Sequence, residues 1–175
     1  MRWVALLRAV NLGARNKVPM AELRTLLEEA GYGNVRTFIA SGNVLLDAPP
    51  GAARLAAGLE RLVADSFGVD TTAILRRPRE LAATVDAHPF GADTSLTHVA
   101  FLASRPSRAA AARLAAVDGG ADRAVLTGAD VYLQLSRGVH GSRLSIARVE
   151  SLLDVAATVR NWRTVATLAE LAAEA

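Results

Sequence analysis

An almost unbroken apolar run from Trp3 to Val10, interrupted only by Arg8, predicts a strand. A loop follows over residues 11–17, and Pro19 suits the first turn of a helix. Leu23, Leu26, Leu27 and Ala30 then share one helical face, and Gly31 stops the helix. Val35 to Ala40 and Val44 to Asp47 read as two strands joined by Ser41-Gly42-Asn43, a hairpin signal. Leu55, Leu59, Leu62, Val63 and Phe67 repeat at helical spacing up to Gly68. Thr71 to Leu75 is the next strand and Glu80 to Val85 a short helix.

The same order then recurs. Thr97 to Ala103 is a strand and Arg108 to Val117 an alanine-rich helix. Arg123 to Leu126 and Val131 to Leu135 pair across a turn at residues 127–130. Ser142 is the expected N-cap of a helix carrying Leu144, Val149 and Leu152. Thr158 to Asn161 and Val165 to Ala172 close the chain as strand and helix. The pattern predicts an α+β protein of two tandem ferredoxin-like βαββαβ units, each an antiparallel sheet with helices on one face. Gly91 to Ser95 marks the boundary, which places the units at residues 1–92 and 93–175.

Right-handed crossovers fix the topology of such a unit. The loop after the first strand and the hairpin between the second and third then share one end of the sheet. Strands one and three are neighbours about 4.8 Å apart. Residues 11–17 and 41–43 are therefore expected to converge although roughly 30 positions separate them.

Composition adds a second signal. Of 20 basic residues 19 are arginine and one is lysine, Lys17; there are five asparagines and three isoleucines, while alanine abounds. Pressure toward GC-rich codons depletes lysine, asparagine and isoleucine together, so those that remain mark positions with a use. Lys17 and four of the five asparagines fall within residues 11–17, 41–43 and 160–162. Turns favour asparagine for backbone reasons, which accounts for part of the clustering.

Charge excludes some classes. Residues 1–90 carry 11 basic and 9 acidic side chains and residues 91–175 carry 9 and 8, so neither half is a basic module that coats DNA. No apolar run reaches the roughly 18 residues of a membrane span, and Arg8 ends the N-terminal run too early for a signal peptide. A cytoplasmic protein is expected. The absence of cysteine removes disulfides and thiolate chemistry. His88, His98 and His140 lack metal spacing, no Ser-His-Asp order or Gly-x-Ser-x-Gly elbow stands out, and no carboxylate sits in the motif segments. No metal, cofactor or catalytic residue is assigned.

The motifs point to an anion. Arg8, Arg15 and Lys17 add three positive charges with no acid between residues 8 and 17, in a loop containing Gly13 that leads into a helix N-terminus. Arg8 lies on the strand face of Val4, Leu6 and Val10, where a guanidinium needs a partner. Ser41 and Asn43, about the turn at Gly42, are candidate hydrogen-bond partners for the same ligand as Asn11 and Asn16. Arg160, Asn161 and Trp162 end the last strand and could clamp a planar anion, or else lie between the two units.

These segments carry a family resemblance. Leu7-Arg8-Ala9-Val10-Asn11-Leu12-Gly13-Ala14-Arg15-Asn16-Lys17-Val18-Pro19-Met20, with Ser41-Gly42-Asn43-Val44 and Thr158-Val159-Arg160-Asn161-Trp162, resembles a bacterial family of uncharacterised proteins, domain of unknown function 1697. The resemblance runs nearly end to end. It implies two ferredoxin-like units in one chain and brings no activity. Ala9 and Ala14 stand where the family tends to have glycine.

Three readings of function remain at this point. The first is binding of an anionic small molecule, phosphorylated or nucleotide-like, at the first β-α loop and the β2-β3 hairpin. The second is an enzyme acting on such a ligand, with Lys17 stabilising a transferring phosphoryl or carboxyl oxygen. The third is RNA binding, which the scarcity of strand aromatics disfavours: only Trp3, Phe38, Phe101 and Tyr132 lie in strands.

Overall fold

A computed structural model describes residues 1–139 and 141–174; His140 lies outside the described residues. The elements in chain order are β1 (Arg2–Leu7), α1 (Met20–Glu29), β2 (Gly33–Phe38), β3 (Asn43–Asp47), α2 (Ala52–Phe67), β4 (Ala73–Arg76) and α3 (Pro78–Asp86). The second set is β5 (Thr97–Leu102), α4 (Arg108–Ala115), β6 (Arg123–Thr127), β7 (Asp130–Gln134), α5 (Ile146–Leu153), β8 (Ala157–Asn161) and α6 (Trp162–Ala173). They build two four-stranded sheets of order β2-β3-β1-β4 and β6-β7-β5-β8, with every neighbouring pair antiparallel. This is the ferredoxin-like pattern, twice.

The chain divides into two compact units, Met1–Leu81 with Leu168–Ala175, and Ala82–Thr167. In the first, alternate residues of β1 (Trp3, Ala5, Leu7) and β3 (Val44, Leu46) meet Leu23 and Leu27 of α1 and Leu55, Leu59 and Val63 of α2 in one core. The helical stripes follow the four-residue repeat of an amphipathic helix. Burying each leucine is worth roughly 1.5–3 kcal/mol. Gly68 ends α2 in the left-handed conformation, its N–H donating to the Ala64 carbonyl. Val4, Leu6 and Leu45 on the opposite face are fully buried too, which is why β1 reads as a continuous apolar run.

In the second unit β7 and β5 are the inner strands. Ala100, Leu102, Val131 and Leu133 pack on Ala110, Leu114, Val149 and Leu153 of α4 and α5. The end of α3 belongs here. The Thr84 hydroxyl donates to Asp130 at 2.6 Å, and the Tyr132 hydroxyl donates to the Thr84 carbonyl at 2.7 Å. Burial, with the Asp130 charge adding to it, pushes the Tyr132 phenol up to about 12.

Three local expectations are corrected. The first strand ends at Leu7 rather than Val10, because Ala9 turns the chain with φ +59°. That break ends the alternation, and Val10 falls into the core with Trp3, Ala5 and Leu7 instead of sharing a face with Val4 and Leu6. The α5 N-cap is Ser145, whose Oγ accepts from Arg148 N, and not Ser142. Ser142 is committed elsewhere: its hydroxyl donates to Asp122 at 2.6 Å and accepts from Leu144 N at 2.8 Å. Trp162 begins α6 and does not end the last strand, because Asn161 Oδ1 accepts from Thr164 N and starts the helix at once.

Candidate functional site

The β1-α1 loop is built by its asparagines. Past Ala9, three more residues of this loop take positive φ: Asn11 at +53°, Gly13 at +56° and Asn16 at +52°. Asparagine and glycine tolerate that region better than other residues. Ala9 lacks the same tolerance and holds a left-handed backbone that would suit a glycine. The loop closes through Asn11 N to Asn16 O at 2.8 Å and Arg15 N to Leu12 O at 3.0 Å. Asn16 Nδ2 donates to Ala9 O at 2.8 Å.

Asn11 ties this loop to the hairpin. Its amide nitrogen donates to Val18 O at 2.9 Å and to Ala40 O at 2.7 Å, and its Oδ1 accepts from Val18 N at 2.8 Å. The two turns therefore meet at one end of the sheet. The β1-β3 register explains why: Leu6 is opposite Asn43, and Leu7 N donates to Gly42 O at 2.8 Å, one step beyond the named ladder. Gly42 lies so close that a Cβ there would sit 2.4 Å from Val10 Cγ2. Asn11→Ala removes three hydrogen bonds and leaves Val18 N unpaired, an expected loss of about 2 kcal/mol in chemical denaturation. Asn11→Asp should fare worse at neutral pH, where a carboxylate faces two carbonyl oxygens, and recover on acidification.

Where loop and hairpin meet, an open groove of about 500 Å³ runs along the first unit. Asn11, Lys17, Val18, Pro19 and Met20 of the loop and helix start line it together with Thr37, Ile39 and Ala40. Lys17 is exposed, and its Nζ rests on the Gly13 carbonyl at 2.6 Å. No carboxylate lines the groove, so the ammonium sets its charge. The helix α1 starts here with Pro19 as its extended N-cap and no capping side chain, while Glu22 occupies its first turn. Lys17 is the one titratable side chain among the lining residues.

Of the residues singled out from sequence, Asn11 and Lys17 line the groove. Gly13 and Asn16 shape the loop behind it. Ser41, Gly42 and Asn43 form the adjoining bend, where Asn43 is fully buried and donates to Phe38 O and Ser41 Oγ at 3.0 Å each. Arg8 is half-buried at the end of β1, its N–H donating to Thr72 O and its carbonyl accepting from the Thr71 hydroxyl. Thr37, Ile39 and Ala40 lie outside the quoted motifs; the end of β2 and the turn after it bring them to this groove, while Met20 comes with the loop motif at the start of α1.

The third motif belongs to the second unit, Ala82–Thr167. Arg160 is buried, and its guanidinium donates to the Thr158 hydroxyl and the Val159 carbonyl at 2.8 Å each. Burial pulls it down to about 10, still protonated at neutral pH. Asn161 is exposed and caps α6. The Trp162 ring lies 4.3 Å from that of His88, tilted by 51°, and His88 Nε2 is 3.0 Å from the Thr97 hydroxyl. Among the described residues no group of three His, Asp or Glu side chains could hold a metal ion, and no helix is long and apolar enough to cross a membrane.

Two ferredoxin-like units with a cationic groove beside the first β-α loop define the class: an α+β protein of tandem βαββαβ architecture. The profile of the family described as "Protein of unknown function (DUF1697)" matches residues 1–132, and the chain belongs to that family. The fold is similar to that of the conserved bacterial protein SP0830 from Streptococcus pneumoniae, with a TM-score of 0.73, 22% identity and 98% of each chain covered. No curated protein matches the chain.

Proposed function

We propose that the protein binds a phosphorylated small molecule in the groove beside the first β-α loop, with Lys17 as its principal anion contact. The observation that carries this reading is Lys17 itself: the sole lysine of the chain stands at a groove that no carboxylate lines, anchored to Gly13 O at 2.6 Å rather than to an acid. An ammonium with unused donors is a strong phosphate contact. Asn11 contributes rigidity rather than free donors, since its amide is engaged with Val18 and Ala40. Binding is preferred to catalysis because the groove offers no second titratable side chain to serve as acid or base.

A thermal-shift titration with inorganic phosphate and phosphorylated metabolites tests this. A ligand present at about 100 times its Kd should stabilise the protein by about 2.7 kcal/mol. Lys17→Ala should abolish that shift and leave the melting temperature of the free protein unchanged, because Lys17 touches only a surface carbonyl. A shift of equal size in the variant would defeat the proposal.

A further inference from the structure

We infer that the ligand of this groove is a phosphate ester with an apolar organic part rather than a sugar phosphate or a nucleotide; the inference rests on the reading of Lys17 given above. It comes from Ile39. This residue lines the same groove as Lys17 and is 52% exposed. Three separate tendencies work against an isoleucine there. A chain with 19 arginines to one lysine and only three isoleucines is under pressure to replace isoleucine codons. Its φ of +49° is a left-handed backbone that β-branched residues avoid. Being 52% exposed, it gains only about half of the burial an isoleucine in the core would have. The other two isoleucines, Ile74 and Ile146, are buried or half-buried and need no such explanation.

The walls nearby agree in character. Pro19 and Met20 add aliphatic surface to the lining, Val18 being buried in the core, while Thr37 and the committed Asn11 are the other polar side chains. A ligand that set its phosphate on the ammonium would lay its remaining atoms against Ile39 and this aliphatic surface. A ribose would find few unspent hydrogen-bond partners there, and its hydroxyls would lose water without replacement.

Calorimetric titration of the full chain with inorganic phosphate, methyl, butyl and hexyl phosphate, and ribose 5-phosphate decides the matter. Affinity should rise about twofold per methylene, half of full burial because the groove is open, and butyl phosphate should bind more tightly than ribose 5-phosphate. In Ile39→Asn, whose side chain suits a left-handed backbone, the alkyl series should flatten while inorganic phosphate binds as before. Its melting temperature should equal or exceed that of the parent, which shows that the variant folds. A flat alkyl series in the parent, a series that keeps its slope in Ile39→Asn, or tighter binding of ribose 5-phosphate overturns the inference and leaves the phosphate reading standing. Failure of every phosphate to bind, or binding indifferent to Lys17→Ala, removes both.

Discussion

Gly42→Ala is expected to lower stability by roughly 3 kcal/mol, through two costs that add. The new Cβ would stand 2.4 Å from Val10 Cγ2, 3.0 Å from Leu7 Cβ and 3.3 Å from the Leu7 carbonyl. Val10 and Leu7 are both core residues, so neither can move aside into solvent. The φ of +78° at this position adds strain for any residue with a side chain. Moving Gly42 away would also stretch the Leu7 N to Gly42 O bond and part the hairpin from the first loop. Urea denaturation monitored by circular dichroism measures the loss. A midpoint within experimental error of the parent would show that the two turns do not meet as closely as described.

Asp122→Ala should be of similar size, roughly 3 kcal/mol, for a different reason. The Asp122 carboxylate accepts from Ser136 N at 2.7 Å, the Ser136 hydroxyl at 2.8 Å and the Ser142 hydroxyl at 2.6 Å. Removing it orphans these donors in a part-buried place. Asp122→Asn retains one acceptor oxygen and should lose about half as much. Burial alone would raise this carboxyl, but the Ser142 and Ser136 donors together with the Arg143 amide outweigh it and hold the group below its ordinary 3.8. A carboxyl depressed by folding stabilises above its unfolded pKa and loses that contribution as pH falls through the folded one. The gap between the parent and Asp122→Asn should thus be constant from neutral pH to about pH 5 and narrow toward pH 2. Thermal melts of both proteins across that range check it, and a gap independent of pH would contradict the assignment.

Why some of this could be read from residues alone follows from where the information resides. The two βαββαβ repeats were legible because hydrophobic spacing changes period at each element, as in Leu55, Leu59 and Val63 against Trp3, Ala5 and Leu7. The meeting of the two turns followed from topology. Lys17 and Asn11 stood out because codon pressure makes lysine and asparagine rare. What escaped was anything decided by competition. Alanine gives no hint of a left-handed turn, so the first strand was read through Ala9. Ser142 and Ser145 are equally good caps by residue type, and only the pull of Asp122 on Ser142 separates them. Ile39 looks like a strand residue by propensity, and its role as a groove wall depends on a conformation its type disfavours.

The make-up of the first compact unit bears on how the polypeptide is synthesised. Its sheet is finished at Arg76, yet the unit also takes in Leu168–Ala175. Leu168 and Ala172 are buried, and Glu174 pairs with Arg36 at 3.1 Å across 138 positions. A nascent polypeptide therefore displays all four strands of that sheet long before the ribosome delivers the stretch that completes the unit. Until then the growing molecule holds an incomplete module, which is completed only when a stretch about 90 positions beyond its last strand emerges.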